Sequence, residues 1–217
     1  MKKCIIIANG EPPQKKIISF LNKKGYKIII CADGGAVNAM KVGLTPDIVI
    51  GDMDSVDKSI LEELKQKSRI IKVKRQSDTD LEKAIKYAIK NRFTEAAILS
   101  AAGKRVDHTL CNFSLLIKYF NKIKLTILTT HSLLLPIKGE VKLTSIKGEL
   151  VSFFAFDNET IVTSSGLKYP LKKSNLHFGR NESISNVSKS DVLQLNVNGG
   201  ILLMIRETGT VIEHDLL

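Results

Sequence analysis

The sequence predicts an α/β chain in two parts: a parallel-sheet domain over residues 1–130 and a smaller antiparallel β domain over residues 131–217. Three observations carry that prediction. Short apolar runs without polar alternation recur through the first part, as in strands covered on both faces. Amphipathic stretches separate them, the grammar of repeated β-α-β units. From about residue 131 the helical period disappears, and strand-like runs stand between Gly, Asn and Ser clusters.

The strand candidates of the first part are "CIIIA" (4–8), "KIIICA" (27–32), "DIVI" (47–50), "RIIKV" (69–73), "AAILS" (96–100) and "KLTILT" (124–129). One intervening helix sets Leu81, Ala84, Ile85, Ala88 and Ile89 on a single face, and another sets Leu110, Phe113 and Ile117. This is a Rossmann-like arrangement. In the second part "ELVSFFAF" (149–156), "VLQLNV" (192–197), "ILLMIR" (201–206) and "TVIEH" (210–214) read as strands. The "NGG" at 198–200 reads as a hairpin turn. The expected arrangement is a β-sandwich.

Composition narrows the function. At 217 residues and 43% hydrophobic content the chain has ample material for a core. No apolar run reaches the roughly 18 residues a membrane helix needs. "MKKCIIIANG" is too short in its apolar part for a secretory leader and lacks a small-residue cleavage site, so we expect a cytoplasmic protein without a membrane partner. Cys4, Cys31 and Cys111 are odd in number and far apart, which argues against disulfides and a zinc cage. The net charge of +11 raises the question of nucleic acid, but the lysines are scattered as pairs with no aromatic-interleaved stripe. A lysine-rich surface explains the charge, and a phosphate-bearing substrate would welcome it.

The chemistry gathers at the strand exits. Open parallel sheets bind ligands outside the carboxyl ends of their strands. In this chain "NG" (9–10), "DGGA" (33–36), "GDMDS" (51–55), "RQSDTD" (75–80) and "AAGKRVDH" (101–108) follow five consecutive strand candidates. Gly34 and Gly35 make a tight turn whose backbone N–H groups could meet phosphate at a helix start. The G-x-G-x-x-G fingerprint and the P-loop are both absent, which excludes nucleotide binding by those devices.

Asp52 and Asp54 set two like charges behind a buried run, and no Lys or Arg stands between Val42 and Asp57 to offset them. Two close carboxylates need a cation or a shared proton. Mg²⁺ prefers carboxylate oxygens together with substrate phosphates. Asp80 lies at the same edge, although Thr79 and Glu82 also have capping-box spacing and an acid suits a first helical turn. Lys104, Arg105 and Asp107 reach that edge too. Asp107 could cap the helix beginning near His108, and a fixed Arg105 guanidinium could stabilise transferring phosphoryl oxygens. The residues alone indicate a Mg²⁺-nucleotide enzyme transferring a phosphorus-containing group, with the acceptor open.

In order along the chain stand "ADGGA" (32–36), "PDIVIGDMDS" (46–55), "TD" (79–80), "GKRVDHTLCN" (103–112), "SGLKYPL" (165–171) and "SN" (185–186). Together these segments resemble the thiamin pyrophosphokinase family over nearly the whole chain. The resemblance implies an α/β domain, a β-sandwich domain and a homodimer with the active site between subunits. It implies that thiamin and ATP give thiamin diphosphate and AMP, with Mg²⁺ held by Asp52, Asp54 and Asp80. Gln76, Lys104 and Arg105 would contact phosphate, and Asp107 would orient Arg105 or accept the hydroxyl proton. Asp33, Gly34, Gly35, Thr79, His108 and Asn112 would complete the nucleotide site. Ser165, Tyr169, Ser185 and Asn186 would bind thiamin, whose flat cationic ring wants a stacking face.

Two departures stand out. Relatives often carry Trp where this chain has Tyr169, and Lys and an acid where it has Gln76 and Ser77. A rival reading takes "DMDSV" (52–56) as the D-x-D-x-[TV] signature of a haloacid-dehalogenase-type phosphohydrolase with Asp52 as nucleophile. That signature belongs after a first strand, whereas this one follows the third.

Overall fold

The computed structural model describes residues 1–73, 77–103 and 105–217, and divides into two units, Met1–Thr130 and His131–Leu217. The first unit is built on β1 (Lys3–Ile7), β2 (Ile28–Ala32), β3 (Ile48–Gly51), β4 (Arg69–Lys72), β5 (Glu95–Leu99) and β6 (Lys124–Leu128). They lie in the order β6-β5-β1-β2-β3-β4, with every neighbouring pair parallel. All six apolar runs are therefore strands. Their lack of alternation follows from burial on both faces, and Cys4, Ile5, Ile6 and Ile7 of β1 are wholly inaccessible. The edge strand β4 is the most open, with Arg69 and Lys72 exposed.

Helices connect the strands: α1 (Lys15–Lys23), α2 (Gly35–Lys41), α3 (Lys58–Lys67), α4 (Asp80–Lys90) and α5 (Val106–Lys118). α1 follows Pro12 and Pro13, buries Ile17, Ile18, Phe20 and Leu21, and ends before Gly25, whose left-handed backbone closes it. α4 packs on β1, β2 and β3 through the predicted face, with Leu81, Ala84, Ile85 and Ala88 buried. The chain steps outward from β1 to β4 and then returns to the other side of β1. Strand order thus reverses between β1 and β5, which opens a crevice at their carboxyl ends.

The second unit contains β7 (Ser132–Thr144), β8 (Leu150–Ala155), β9 (Ile161–Ser165), β10 (Ser174–Asn175), β11 (Ser183–Val187), β12 (Val192–Glu207) and α6 (Thr208–Glu213). All its strand pairings are antiparallel. β12 is the spine: it pairs with β7 along its length, with β9 through its first half and with β8 through its second. Alternate residues of β12 (Leu193, Leu195, Val197, Leu202, Met204) join Phe153, Val162 and Ile137 in one core. Beneath it Arg206, 4% exposed, donates to both carboxylate oxygens of Glu149 (2.6 and 2.9 Å) and to the carbonyls of Leu216 and Thr144.

Two expectations are corrected in this unit. "NGG" does not turn the chain. It lies inside β12, where Gly199 takes φ +81° and the register slips between Val197 and Leu202, a bulge that lets one strand change partners. Residues 210–214 are not a strand: Thr208–Glu213 form α6, and Val211 is its buried contact. β7 escaped the sequence reading because Pro136 and Gly139 interrupt its pattern. The whole is a mixed α/β fold with a parallel and an antiparallel part.

Candidate active site

Three strand exits bring carboxylates together. Asp33 directly follows β2 in the left-handed region at φ 41°. Asp52 and Asp54 follow β3 on either side of Met53, itself at φ 69°. The Met53 side chain is buried while Asp52 and Asp54 are exposed, so the left-handed residue sends an apolar side chain inward and leaves an acid on each side. Asp80 opens α4. One carboxylate oxygen from each of Asp33, Asp52 and Asp80 lies within 4.8 Å of the other two.

The triad thus contains Asp33, which the sequence placed in the nucleotide set, along with Asp52 and Asp80. Asp54 stands beside it. Its N–H donates to Asp52 Oδ1 (3.4 Å) and its carboxylate accepts from Ser55 Oγ (3.0 Å), the bond that chiefly holds its pKa below the ordinary value.

Asp33 is the unusual member. It is 2% exposed; Oδ2 accepts the Ser55 N–H at 3.2 Å, but Oδ1 has no hydrogen-bond partner among the described residues. Gly51 is what admits it, since a Cβ there would strike the Asp33 side chain. Burial pushes the Asp33 pKa up, the Ser55 bond opposes this, and the charges of Asp80 and Asp54 add to the rise. A buried carboxylate oxygen with no donor beside two further carboxylates is unfavourable unless a cation shares it. Three hard oxygen donors from separate elements suit Mg²⁺.

Sequence reasoning missed Lys83. It is 5% exposed, one turn into α4, with Nζ 2.7 Å from Asp80 Oδ1 and 3.9 Å from Asp52 Oδ2. Burial works against its charge, but the Asp80 hydrogen bond and the charges of Asp80, Asp52 and Asp33 prevail and raise its pKa. The Asp80-x-x-Lys83 spacing was the available signal.

Thr79 caps α4 by accepting from the Glu82 N–H (3.2 Å), whereas the Glu82 carboxylate turns away to Tyr119 and Lys118. Arg105 and Asp107 form an exposed two-bond pair, and hydrogen bonding to Arg105 draws the Asp107 pKa to about 2. His108 is exposed in the first turn of α5. Asn112 spends an amide donor on the Ala101 carbonyl (2.8 Å), pinning α5 to the exit of β5. Gly35 lets α2 approach β1, because a Cβ would meet the Ile7 carbonyl, and Gly34 lies against Asn9. Gln76 and Lys104 lie outside the described residues.

Near the crevice, Ser100 leaves β5 at φ 57° with its hydroxyl buried and unpartnered among the described residues. Left-handed residues other than glycine therefore stand at three strand exits, after β2, β3 and β5. Such strain concentrates at functional sites.

In the second unit Asn186, 2% exposed, is a clamp. Its Oδ1 accepts from the Tyr169 N–H (3.1 Å) and the Val187 N–H (2.9 Å), and its Nδ2 donates to the Tyr169 carbonyl (2.7 Å). That fixes the Tyr169 backbone while the residue stays 60% exposed, with Lys168 Nζ 5.3 Å from the ring centroid. Ser185 is an exposed left-handed residue at the bulge of β11, and Ser165 is exposed at the end of β9.

With this geometry in view, the comparisons with known proteins are specific. Residues 21–127 match the catalytic-domain model of thiamin pyrophosphokinase, and residues 134–202 match its vitamin B1 binding domain model. Thiamine pyrophosphokinase of Bacillus subtilis is 29% identical over 96% of this chain and all of its own length. Thiamin pyrophosphokinase 1 of Caenorhabditis elegans is 26% identical over 96% of this chain and 91% of its own. The crystal structure of the Bacillus subtilis enzyme superposes with a TM-score of 0.81 over 95% of this chain and 99% of that one, at 26% identity. Two domain models in order along the chain, relatives matched nearly end to end, and an acidic triad at the strand exits place this chain in the thiamin pyrophosphokinase family.

Proposed function

We propose that this chain makes thiamin diphosphate, transferring the pyrophosphoryl group of ATP to the thiamin hydroxyl with release of AMP and with Mg²⁺ at the acidic triad. The observation that carries the metal site is the buried Asp33 carboxylate, grouped with Asp52 and Asp80 and with one oxygen unpartnered among the described residues. The thiamin hydroxyl releases its proton to water as its oxygen bonds to the β-phosphorus, the bond from that phosphorus to the oxygen bridging to the α-phosphorus breaks, and AMP leaves with that oxygen. Bound Mg²⁺ supplies charge neutralisation on the β- and γ-phosphates, where such transfers need it. Asp33, Asp52 and Asp80 would hold it, with Asp54 alongside. Arg105, oriented by Asp107, is available to phosphate oxygens. The exposed Tyr169 ring, on a backbone fixed by Asn186, is available to stack on cationic thiamin.

We further propose a two-layer sandwich for the second unit and a homodimer in which the Tyr169 region of one subunit serves the acidic site of the other. The exposure of Tyr169 and Ile184 supports a covered face. We place the protein in the cytoplasm, which suits its buried free thiols Cys4 and Cys31. No helix among the described residues is long and apolar enough to cross a membrane. The phosphohydrolase alternative finds no support in the family matches.

Incubation of the purified protein with ATP, Mg²⁺ and thiamin tests the reading. AMP should form only when thiamin is present, and Asp52→Asn should abolish it while the far-UV circular dichroism is kept. Free phosphate released without an acceptor would overturn the assignment.

A further inference from the structure

We propose that Lys83 is the resident counter-ion of the acidic triad, holding Asp52 and Asp80 near one another in the metal-free protein and tempering how tightly the triad takes a divalent cation. The inference rests on the Mg²⁺ reading above and adds a residue to it. Lysine is almost never buried without a partner, and Lys83 is 5% exposed in a unit whose surface has ample room for a lysine. Its ammonium bonds Asp80 at 2.7 Å and stands 3.9 Å from Asp52, so it spans acids from two different strand exits. The loop bearing Asp52 brings no cation of its own, because Val42–Asp57 contains no Lys or Arg. Compensation arrives from α4.

The charges make the consequence definite. Three carboxylates and one ammonium leave the triad with Lys83 at −2, and Asp54 alongside adds to the negative excess. Without Lys83 the triad stands at −3. It would repel itself more strongly when empty and attract a cation more strongly when offered one. A lysine that merely fills space in α4 would change stability alone. A counter-ion changes stability and metal affinity in opposite directions.

Mn²⁺ binding without nucleotide, followed by electron paramagnetic resonance of the free ion, separates the two. Lys83→Met should bind Mn²⁺ about tenfold more tightly than wild type, a conservative share of what a unit charge at ion-pair range exerts. Its metal-free melting temperature should fall, and the gap between metal-free and Mn²⁺-saturated melting should widen. Lys83→Arg, which keeps the charge, should retain wild-type affinity. Unchanged or weaker Mn²⁺ binding in Lys83→Met overturns the proposal while leaving the metal site standing, whereas failure of the wild-type protein to bind Mn²⁺ removes the site itself. Should Lys83→Met not fold without metal, refolding with Mn²⁺ decides: recovery supports the counter-ion, and failure under both conditions makes Lys83 structural.

Discussion

Asp33 is a residue unfavourable to the fold that the proposed metal site would put to use. Its carboxyl is buried, one oxygen is unsatisfied among the described residues, and two further carboxylates face it. Asp33→Asn keeps the shape and removes the charge. It should lower AMP formation more than about a hundredfold, as loss of a metal-site group does. The metal-free melting temperature should hold or rise, because a desolvated charge and its repulsion are both gone. A parallel fall in stability and activity would mean that Asp33 is structural. The sequence marked Asp52 and Asp80 for this site but set Asp33 with the nucleotide residues. Nothing in a linear reading shows that Gly51 clears space for the Asp33 side chain. The same limit hid Lys83, which sits 31 positions from Asp52 and meets it only through the packing of α4.

At the scale of elements, α4 joins stability to chemistry. Its first turn holds the Thr79 cap and Asp80, and Lys83 stands one turn further on. Thr79→Ala removes the hydroxyl that accepts from the Glu82 N–H and should cost about 1 kcal/mol. Since fraying begins at the capped end, the Mg²⁺ concentration needed for half-maximal AMP formation should rise, with kcat at saturating Mg²⁺ little changed. Thermal melting and a Mg²⁺ titration check both halves, and an unchanged Mg²⁺ requirement would uncouple the cap from the site. The strands of the first unit and α4 were legible because burial on both faces, or on one helical face, leaves a strong pattern in sequence. The NGG segment was not, since the same glycine chemistry serves a hairpin or a bulge, and only the partners offered by β8 and β9 decide which. Residues 210–214 failed for a related reason: a short apolar run carries no period of its own.

At the scale of the whole chain, a net charge of +11 surrounds a site made of aspartates. The two serve different steps. In the proposed reading the acids at short range would hold a divalent cation, while dispersed lysines set the long-range field met by an approaching substrate. ATP is a polyanion and thiamin a cation, so that field should speed capture of the first and slow capture of the second. At physiological ionic strength the field extends about 8 Å, and near 1 M about 3 Å, so salt removes it and leaves the buried contacts largely intact. With free Mg²⁺ held constant, raising KCl from about 50 to about 500 mM should lower kcat/KM for ATP several-fold. Over the same range kcat/KM for thiamin should stay level or rise. Equal declines for both substrates would point to salt acting on the protein itself, and a flat ATP profile would show that the lysines serve solubility alone. The opposite signs expected for the two substrates are the decisive feature, because no general effect of salt on the enzyme produces them.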